Sequence, residues 1–275
     1  MNNINSDIGI LVNTSDSFED CWNPFFTLFD KYWINCKYPI FLNTEFKDYQ
    51  FKGLNIVSTK VHSKTKDRRL TWSECLIGAL EEINAPLILY FQEDYFIDQP
   101  VDSQFIENMV DVMIKNPDIK KLGLITTDTQ GPFKKSDFEK LSKISQKAKY
   151  RISTQVGIWR KETLLSYLRA EENGWMFEIF GTWRSRKVKE LFLTISRDVF
   201  TTHKASPIHY IHTGIIKGKW HPEIPKIFRE NGIEVDFTQR GFYNVDISTL
   251  SRKIETFRKL LTSPKLLLKN LYEMI

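Results

Sequence analysis

Three cysteines, Cys21, Cys36 and Cys75, are all that the 275 residues contain, odd in number and far apart. Without a C-x-x-C pair or a His/Cys run of ligand spacing, neither a disulfide framework nor a structural zinc site is expected, and a reducing compartment is. No apolar run approaches the roughly 20 residues of a membrane span, and the first, Ile8 to Val12, is too short for a signal peptide. The expected location is therefore cytoplasmic, with at most a peripheral position at the inner face of the plasma membrane. No glycine-rich phosphate loop follows that first run, and there is no internal repeat or low-complexity tract. No nucleic-acid-binding module accompanies the net charge of +5, so nucleic acid is not an expected partner.

The composition, 41% hydrophobic and 27% charged, is that of a globular chain able to bury a full core. Seven Trp, ten Tyr and twenty Phe exceed what a core alone usually requires, and surplus rings are material for stacking on sugars as well as for packing. Strand and helix patterns alternate from the start: Ile8 to Asn13, a helix over Asn23 to Trp33, then short strands at Ile40 to Asn43 and Leu54 to Val57. Thr71-Trp72-Ser73-Glu74 has the form of a capping box, and Trp72, Leu76, Ala79, Leu80 and Ile83 follow at helical spacing. Pro86 ends that helix, and Leu87 to Phe91 runs unbroken and apolar, as a strand buried on both faces would.

A helix near Ser103 to Ile114 and a strand at Leu122 to Ile125 continue the alternation. From Thr126 to Lys149 the pattern fails, and the segment reads as a surface loop or short surface helix. Order resumes at Arg151 to Trp159, with helices near Lys161 to Leu168 and Trp175 to Arg186 and strands near Leu191 to Ile195 and His209 to His212. The expected fold is α/β, a Rossmann-type mixed sheet flanked by helices. Residues 1–246 form its main domain (1–100 for a nucleotide, 101–246 for a second substrate), and 247–275 form a basic amphipathic C-terminal helical tail. In that tail Arg252, Lys253, Arg258, Lys259, Lys265 and Lys269 alternate with leucines, a pattern that suits either an anionic membrane surface or packing on the domain.

Ligands of open α/β sheets collect beyond the carboxyl ends of the strands, which is where Gln92, Glu93 and Asp94 follow Phe91. Two adjacent carboxylates repel unless a cation neutralises them, and hard oxygen ligands suit Mg2+ or Mn2+ with diphosphate oxygens completing the shell. A solvated turn is the other reading of such a pair.

The stretch Arg69-Leu70-Thr71-Trp72-Ser73 through Leu87-Ile88-Leu89-Tyr90-Phe91-Gln92-Glu93-Asp94-Tyr95-Phe96 resembles bacterial GT-A glycosyltransferases of surface-polysaccharide (capsule, O-antigen or exopolysaccharide) biosynthesis. Ser153 to Lys161 with Asn173 to Glu178 is similar to their acceptor half, and Gly214 to His221 to their closing segment. The resemblance implies a hexosyltransferase-like enzyme that moves a sugar from a nucleotide-sugar donor to a saccharide or lipid-linked saccharide acceptor, with inversion. It implies Asp94 and His221 as metal ligands and Glu178 as catalytic base. Where the family has Asp at the first position of its acidic triplet this chain has Gln92, which shifts the weight to Asp94 and leaves metal independence open.

Donor-side candidates are Asn13, Thr14, Asn43 and Thr44 at strand ends, Trp72, Gln92 and Glu93, and the cations Arg68, Arg69, Lys217 and Lys219. Acceptor-side candidates are Gln155, Trp159 and Trp175. The competing functions are a nucleotidyltransferase or metal-dependent phosphoesterase, which also place acids at strand ends, and a non-catalytic carbohydrate-binding protein.

Overall fold

The computed structural model describes residues 6–64, 68–244 and 264–274. The described chain forms two compact units, Met1–His212 and Thr213–Ile275. In the first, nine strands make one mixed sheet in the order β3-β2-β1-β4-β8-β5-β9-β7-β6. Strands β1 (Ile8–Asn13), β2 (Ile40–Asn43), β3 (Ile56–Ser58) and β4 (Leu87–Gln92) run parallel. Strand β8 (Gly157–Arg160) runs against both β4 and β5 (Ile119–Gly123), and β9 (Leu191–Ile195) is parallel to β5. Strand order reverses at β1, with β2 and β3 on one side and β4 on the other, and open α/β sheets collect ligands beyond the carboxyl ends of the strands at such a point.

Strand β4 is buried from Leu87 to Phe91 because both its faces are covered. Phe91 packs edge-on against Phe25 and Phe29 of α1 (Glu19–Tyr32). On the opposite face Ile88 and Tyr90 join Leu76, Ala79 and Leu80 of α2 (Trp72–Glu82) in one buried cluster. The capping box of α2 forms as expected: Glu74 N–H donates to Thr71 Oγ1 at 3.1 Å and Thr71 N–H to Glu74 Oε2 at 2.9 Å. Helix α3 (Ser103–Lys115) is capped by Asp102, whose Oδ1 accepts from Phe105 N–H at 3.0 Å.

Residues 126–149 correct an expectation. Strands β6 (Phe133–Lys135) and β7 (Leu141–Ile144) form an antiparallel hairpin, and β7 extends the sheet by pairing with β9. The strands are short and lysine-rich, the composition that keeps a sheet edge from pairing with other chains, so their periodicity is faint. Helices α4 (Lys161–Tyr167) and α5 (Gly174–Ser185) follow β8. The loop between them is anchored by a buried ion pair: Arg184 donates to Glu172 at 2.6 and 2.8 Å and to the Tyr167 carbonyl at 2.6 Å. The strand expected near His209 to His212 is reduced to a single bridge between Tyr210 and Ile97.

In the second unit β10 (Ile215–Ile216) and β11 (Lys219–Trp220) are joined by Lys217-Gly218, with φ of 53° and 77°. Two positive φ values in a two-residue connection match the twist of a hairpin, which is why glycine occupies the second position. Trp220 is fully buried against Phe228 of α6 (Ile224–Glu230) and Phe237, at 5.8 and 5.5 Å between ring centres. A last helix, α7 (Pro264–Met274), begins at the proline. Arg252, Lys253, Arg258 and Lys259 of the expected basic tail lie outside the described residues. No helix among the described residues is long and apolar enough to cross a membrane.

Candidate functional site

Parallel register sets Asn43, Asn13 and Gln92 side by side at the carboxyl edge of β2, β1 and β4. Asn43 donates to Asn13 Oδ1 at 2.8 Å and accepts from Thr59 Oγ1 at 3.2 Å. Trp22 Nε1 donates to Thr14 Oγ1 at 2.9 Å, and Lys60 N–H to Thr44 Oγ1 at 3.2 Å. All four expected donor-side groups are buried, so they brace the strand ends against each other. Beyond them Glu93 and Asp94 form a turn at the tip of β4, 8% and 5% exposed, closed by Tyr95 N–H on the Gln92 carbonyl at 3.2 Å.

Tyr95 carries the tip to the other half of the unit. Its ring stacks on Tyr210 at 4.6 Å, and its hydroxyl donates to the Thr154 carbonyl at 3.3 Å and accepts from Gln155 Nε2 at 3.0 Å. Tyr210 hydroxyl donates in turn to Gln155 Oε1 at 2.9 Å. The neighbouring residue, Thr154, donates from both N–H and Oγ1 to Glu178 Oε1, each at 2.8 Å. Acidic tip and glutamate are thereby joined through one run of hydrogen bonds. Burial pushes the Glu178 carboxyl above its ordinary value, against the pull of the Thr154 donors. Burial pushes Tyr90 and Tyr95 up as well; the charge of Glu93 adds to the effect on Tyr90, and Asp94 and Glu178 add to that on Tyr95.

Glu178 and Gln155 open onto a cavity of about 260 Å3 whose wall also includes Thr127, Asp128, Tyr150 and Ser153. Asp128 was not expected here. Its carboxylate lies 3.8 Å from Lys121 Nζ, both side chains being essentially unexposed, and accepts from Thr194 Oγ1 at 3.0 Å. Burial drives the two in opposite directions, Lys121 down and Asp128 up, and their mutual charge resists both shifts. A Cβ at Gly123 would stand 1.8 Å from Asp128 Oδ2, so a side chain there would displace the carboxylate. The sequence carries little signal for the pair: Lys121 is the second of two adjacent lysines in Ile119-Lys120-Lys121-Leu122, and only the sheet decides that it, and not Lys120, is fully buried and needs a partner.

Trp159 is not an acceptor-binding ring. It is 1% exposed, between Phe192 at 5.8 Å and the Lys121 ammonium at 5.1 Å, because the inward face of β8 lies over the core. Trp72 packs on Phe177 at 5.8 Å and lies so close to Gly174 that a Cβ there would meet it at 3.2 Å. Arg68 is committed to Glu74 by two hydrogen bonds of 2.7 and 2.5 Å, whereas Arg69 is 78% exposed and 3.6 Å from Glu45. Trp175, half-buried, stands in the first turn of α5, where Asn173 caps Met176 N–H at 3.0 Å.

Lys217, Lys219 and His221 belong to the second unit. There the Lys217 ammonium stands 5.7 Å from the Tyr243 ring centre, Lys219 is exposed on β11, and His221 Nδ1 accepts from Glu223 N–H at 3.3 Å. Among the described residues no three or more His, Cys, Asp or Glu side chains are grouped to hold a metal ion. Glu93 and Asp94 alone are too few to complete the shell of a six-coordinate Mg2+ or Mn2+, which would need further oxygens such as those of a bound phosphate.

No protein-family model matches the chain, and no characterised protein is recognisably related to it by sequence. Solved structures with a similar course of chain include S. aureus TarS 1–349, at 12% identity and a TM-score of 0.45 over 70% of this chain and 58% of that one. The same TarS fragment in complex with UDP matches at 12% identity and 0.42, over 70% and 62%. Glucosyl-3-phosphoglycerate synthase from Mycobacterium tuberculosis in complex with phosphoglyceric acid matches at 12% identity and 0.37, over 70% and 71%. The chain thus spans about three fifths of the TarS structures, and at this distance the likeness speaks for no substrate or activity.

Proposed function

We propose that the protein is a glycosyltransferase that moves a sugar from a nucleotide-sugar donor to a hydroxyl of a saccharide or lipid-linked saccharide. The observation that carries this reading is the hydrogen-bonded run from the acidic tip of β4 through Tyr95, Gln155 and Thr154 to Glu178. It holds the carboxyl end of β4 and a half-buried carboxylate beside a polar cavity in one frame, as positioning of two substrates requires.

In this reading the nucleotide lies along the carboxyl edge of β1, β2 and β4, and Arg69 is a cation for its diphosphate. Glu178 takes the proton of the acceptor hydroxyl on Oε2, Oε1 being held by Thr154. The acceptor oxygen bonds to the anomeric carbon as the bond from that carbon to the diphosphate oxygen breaks. The electron pair leaves with the nucleoside diphosphate, and the configuration inverts. A carboxyl raised by burial is a better base for this step than an exposed one. A divalent ion would have to take most of its ligands from the diphosphate, and no step above depends on it.

A role in bacterial surface-polysaccharide synthesis and a peripheral position on the membrane belong to the same proposal. The exposed Leu268 and Tyr272, one helical turn apart on α7 with Lys269 between them, suit an anionic lipid surface. The deciding experiment is a thermal-shift screen of nucleotide sugars, with manganese and with EDTA, followed by assay of donor hydrolysis on each hit. A donor that stabilises the protein and releases nucleoside diphosphate is the expected result; no shift with any donor removes the proposal.

A further inference from the structure

Two tyrosines hold both ends of the Gln155 amide and the main chain on either side of it. Tyr210 hydroxyl donates to Gln155 Oε1 at 2.9 Å and accepts from Val156 N–H at 3.3 Å. Tyr95 hydroxyl accepts from Gln155 Nε2 at 3.0 Å and donates to the Thr154 carbonyl at 3.3 Å. The two rings are buried and stack at 4.6 Å with their planes 16° apart. Phenylalanines would fill the same space, and a buried hydroxyl is costly unless it is hydrogen-bonded, so packing alone does not account for two tyrosines.

The polarity of the circuit is fixed from its ends. Val156 N–H can only donate, and the Thr154 carbonyl can only accept. The Tyr210 oxygen therefore receives the first and sends its own hydrogen to Gln155, while Tyr95 sends its hydrogen to the carbonyl and receives one from Gln155. An amide turned over would set its oxygen against the Tyr95 oxygen, two acceptors in contact, unless the Thr154 carbonyl lost its donor. Tyr210 is braced in turn from outside the circuit: it bridges to Ile97, and His203 Nε2 donates to its carbonyl at 2.8 Å.

Residues 154–156 belong to no helix or strand, so regular backbone pairing does not set their course. At the head of the segment Thr154 points its N–H and hydroxyl at Glu178 Oε1, each at 2.8 Å. The direction of those two donors depends on how the chain runs just beyond them, which is what the tyrosines hold.

We infer that Tyr210 is a positioning residue for Glu178: through Gln155 and Val156 it fixes residues 154–156 so that both Thr154 donors meet one carboxylate oxygen. The inference rests on the transferase reading only in making Glu178 the base.

The test begins without a ligand. The carboxyl 13C signal of Glu178, assigned by its loss in Glu178→Gln, is titrated by NMR in the full chain and in two variants. Tyr210→Phe keeps the ring and its stack and removes the hydroxyl; Gln155→Met keeps the length and removes the amide. The Thr154 donors favour the ionised carboxylate, so loosening them should raise the proton affinity of Glu178 about three-fold or more in each variant. Lys121 and Ser153 also act on Glu178, and Asp128, Tyr150 and His212 share its cavity; all are left in place. Because Tyr210 and Gln155 work through one circuit, the double variant should shift no further than the larger single shift. Hydrolysis of UDP-glucose and UDP-N-acetylglucosamine is followed in parallel, where Tyr210→Phe should lower kcat about ten-fold or more with KM unchanged.

A Glu178 midpoint that stays in place in both variants, or shifts that add in the double variant, overturn the inference. If Tyr210→Phe fails to fold, Gln155→Met, whose side chain is only partly buried, decides alone. The expected shifts in a protein that turns over neither nucleotide sugar support the positioning of Glu178 and count against the transferase.

Discussion

Thr154 gives both of its donors, the backbone N–H and the hydroxyl, to a single oxygen of Glu178, each at 2.8 Å. The pair fixes the direction of the carboxylate and moderates the effect of burial on it. Glu178→Gln keeps the size of the side chain and can still accept from Thr154, but removes the base. Transfer should fall about 10²–10⁴-fold with donor binding intact. Measured turnover close to wild type would remove Glu178 from the mechanism.

The pH dependence follows from the direction of the same shift. A base works when ionised, so kcat/KM should rise with pH along an acid limb displaced above the ordinary glutamate value of 4.5. The corresponding contribution to stability is fully present below that value and is lost as pH rises through the folded-state pKa. Thr154→Val removes the hydroxyl donor alone and should move the limb further up. A limb that stays in place would show that Thr154 does not tune the base.

Asp94 can be tested apart from Glu178. Asp94→Asn should weaken nucleotide-sugar binding about ten-fold and abolish any difference between manganese and EDTA, while binding of a neutral glycoside persists. Equal donor affinity in the variant, read by calorimetry, would take Asp94 out of the donor site.

The start of α2 offers a test of the fold. Thr71→Ala removes the N-cap and should cost about 1 kcal/mol, seen as a lower midpoint in urea with an unchanged slope. Glu74 is held down to about 2, chiefly by the Arg68 hydrogen bonds. Its contribution is present above the unfolded value of 4.5 and is lost as pH falls towards about 2. Glu74→Gln should flatten the loss of stability in that acid window.

For the C-terminal helix, sedimentation with phosphatidylserine vesicles should carry the protein down, and phosphatidylcholine vesicles should not. Raised salt should release it, each basic side chain near the surface contributing about 1 kcal/mol. Leu268→Asp with Tyr272→Ser should leave it in the supernatant, and binding unaffected by these changes would refute a role for this face.

The features legible in the sequence were those that neighbours along the chain control. The α2 capping box, the Pro86 stop and the apolar run of β4 are set by short-range hydrogen bonding and side-chain period, and each is present as expected. The hairpin of β6 and β7 was not legible, since only pairing with β9 organises its short lysine-rich strands. Trp159 was misassigned for a related reason: composition says that a ring is available, not which partner has already taken it.

By itself, the sequence determined that the chain is an α/β protein with an acidic turn after a central buried strand, because hydrophobic period and turn chemistry are local. Tertiary structure decided that Glu178 meets Thr154, that Asp128 rests over Gly123 beside Lys121, and that the polar strand ends brace one another. Those contacts depend on strand register and on the shared exclusion of water, and neither exists until distant segments have packed.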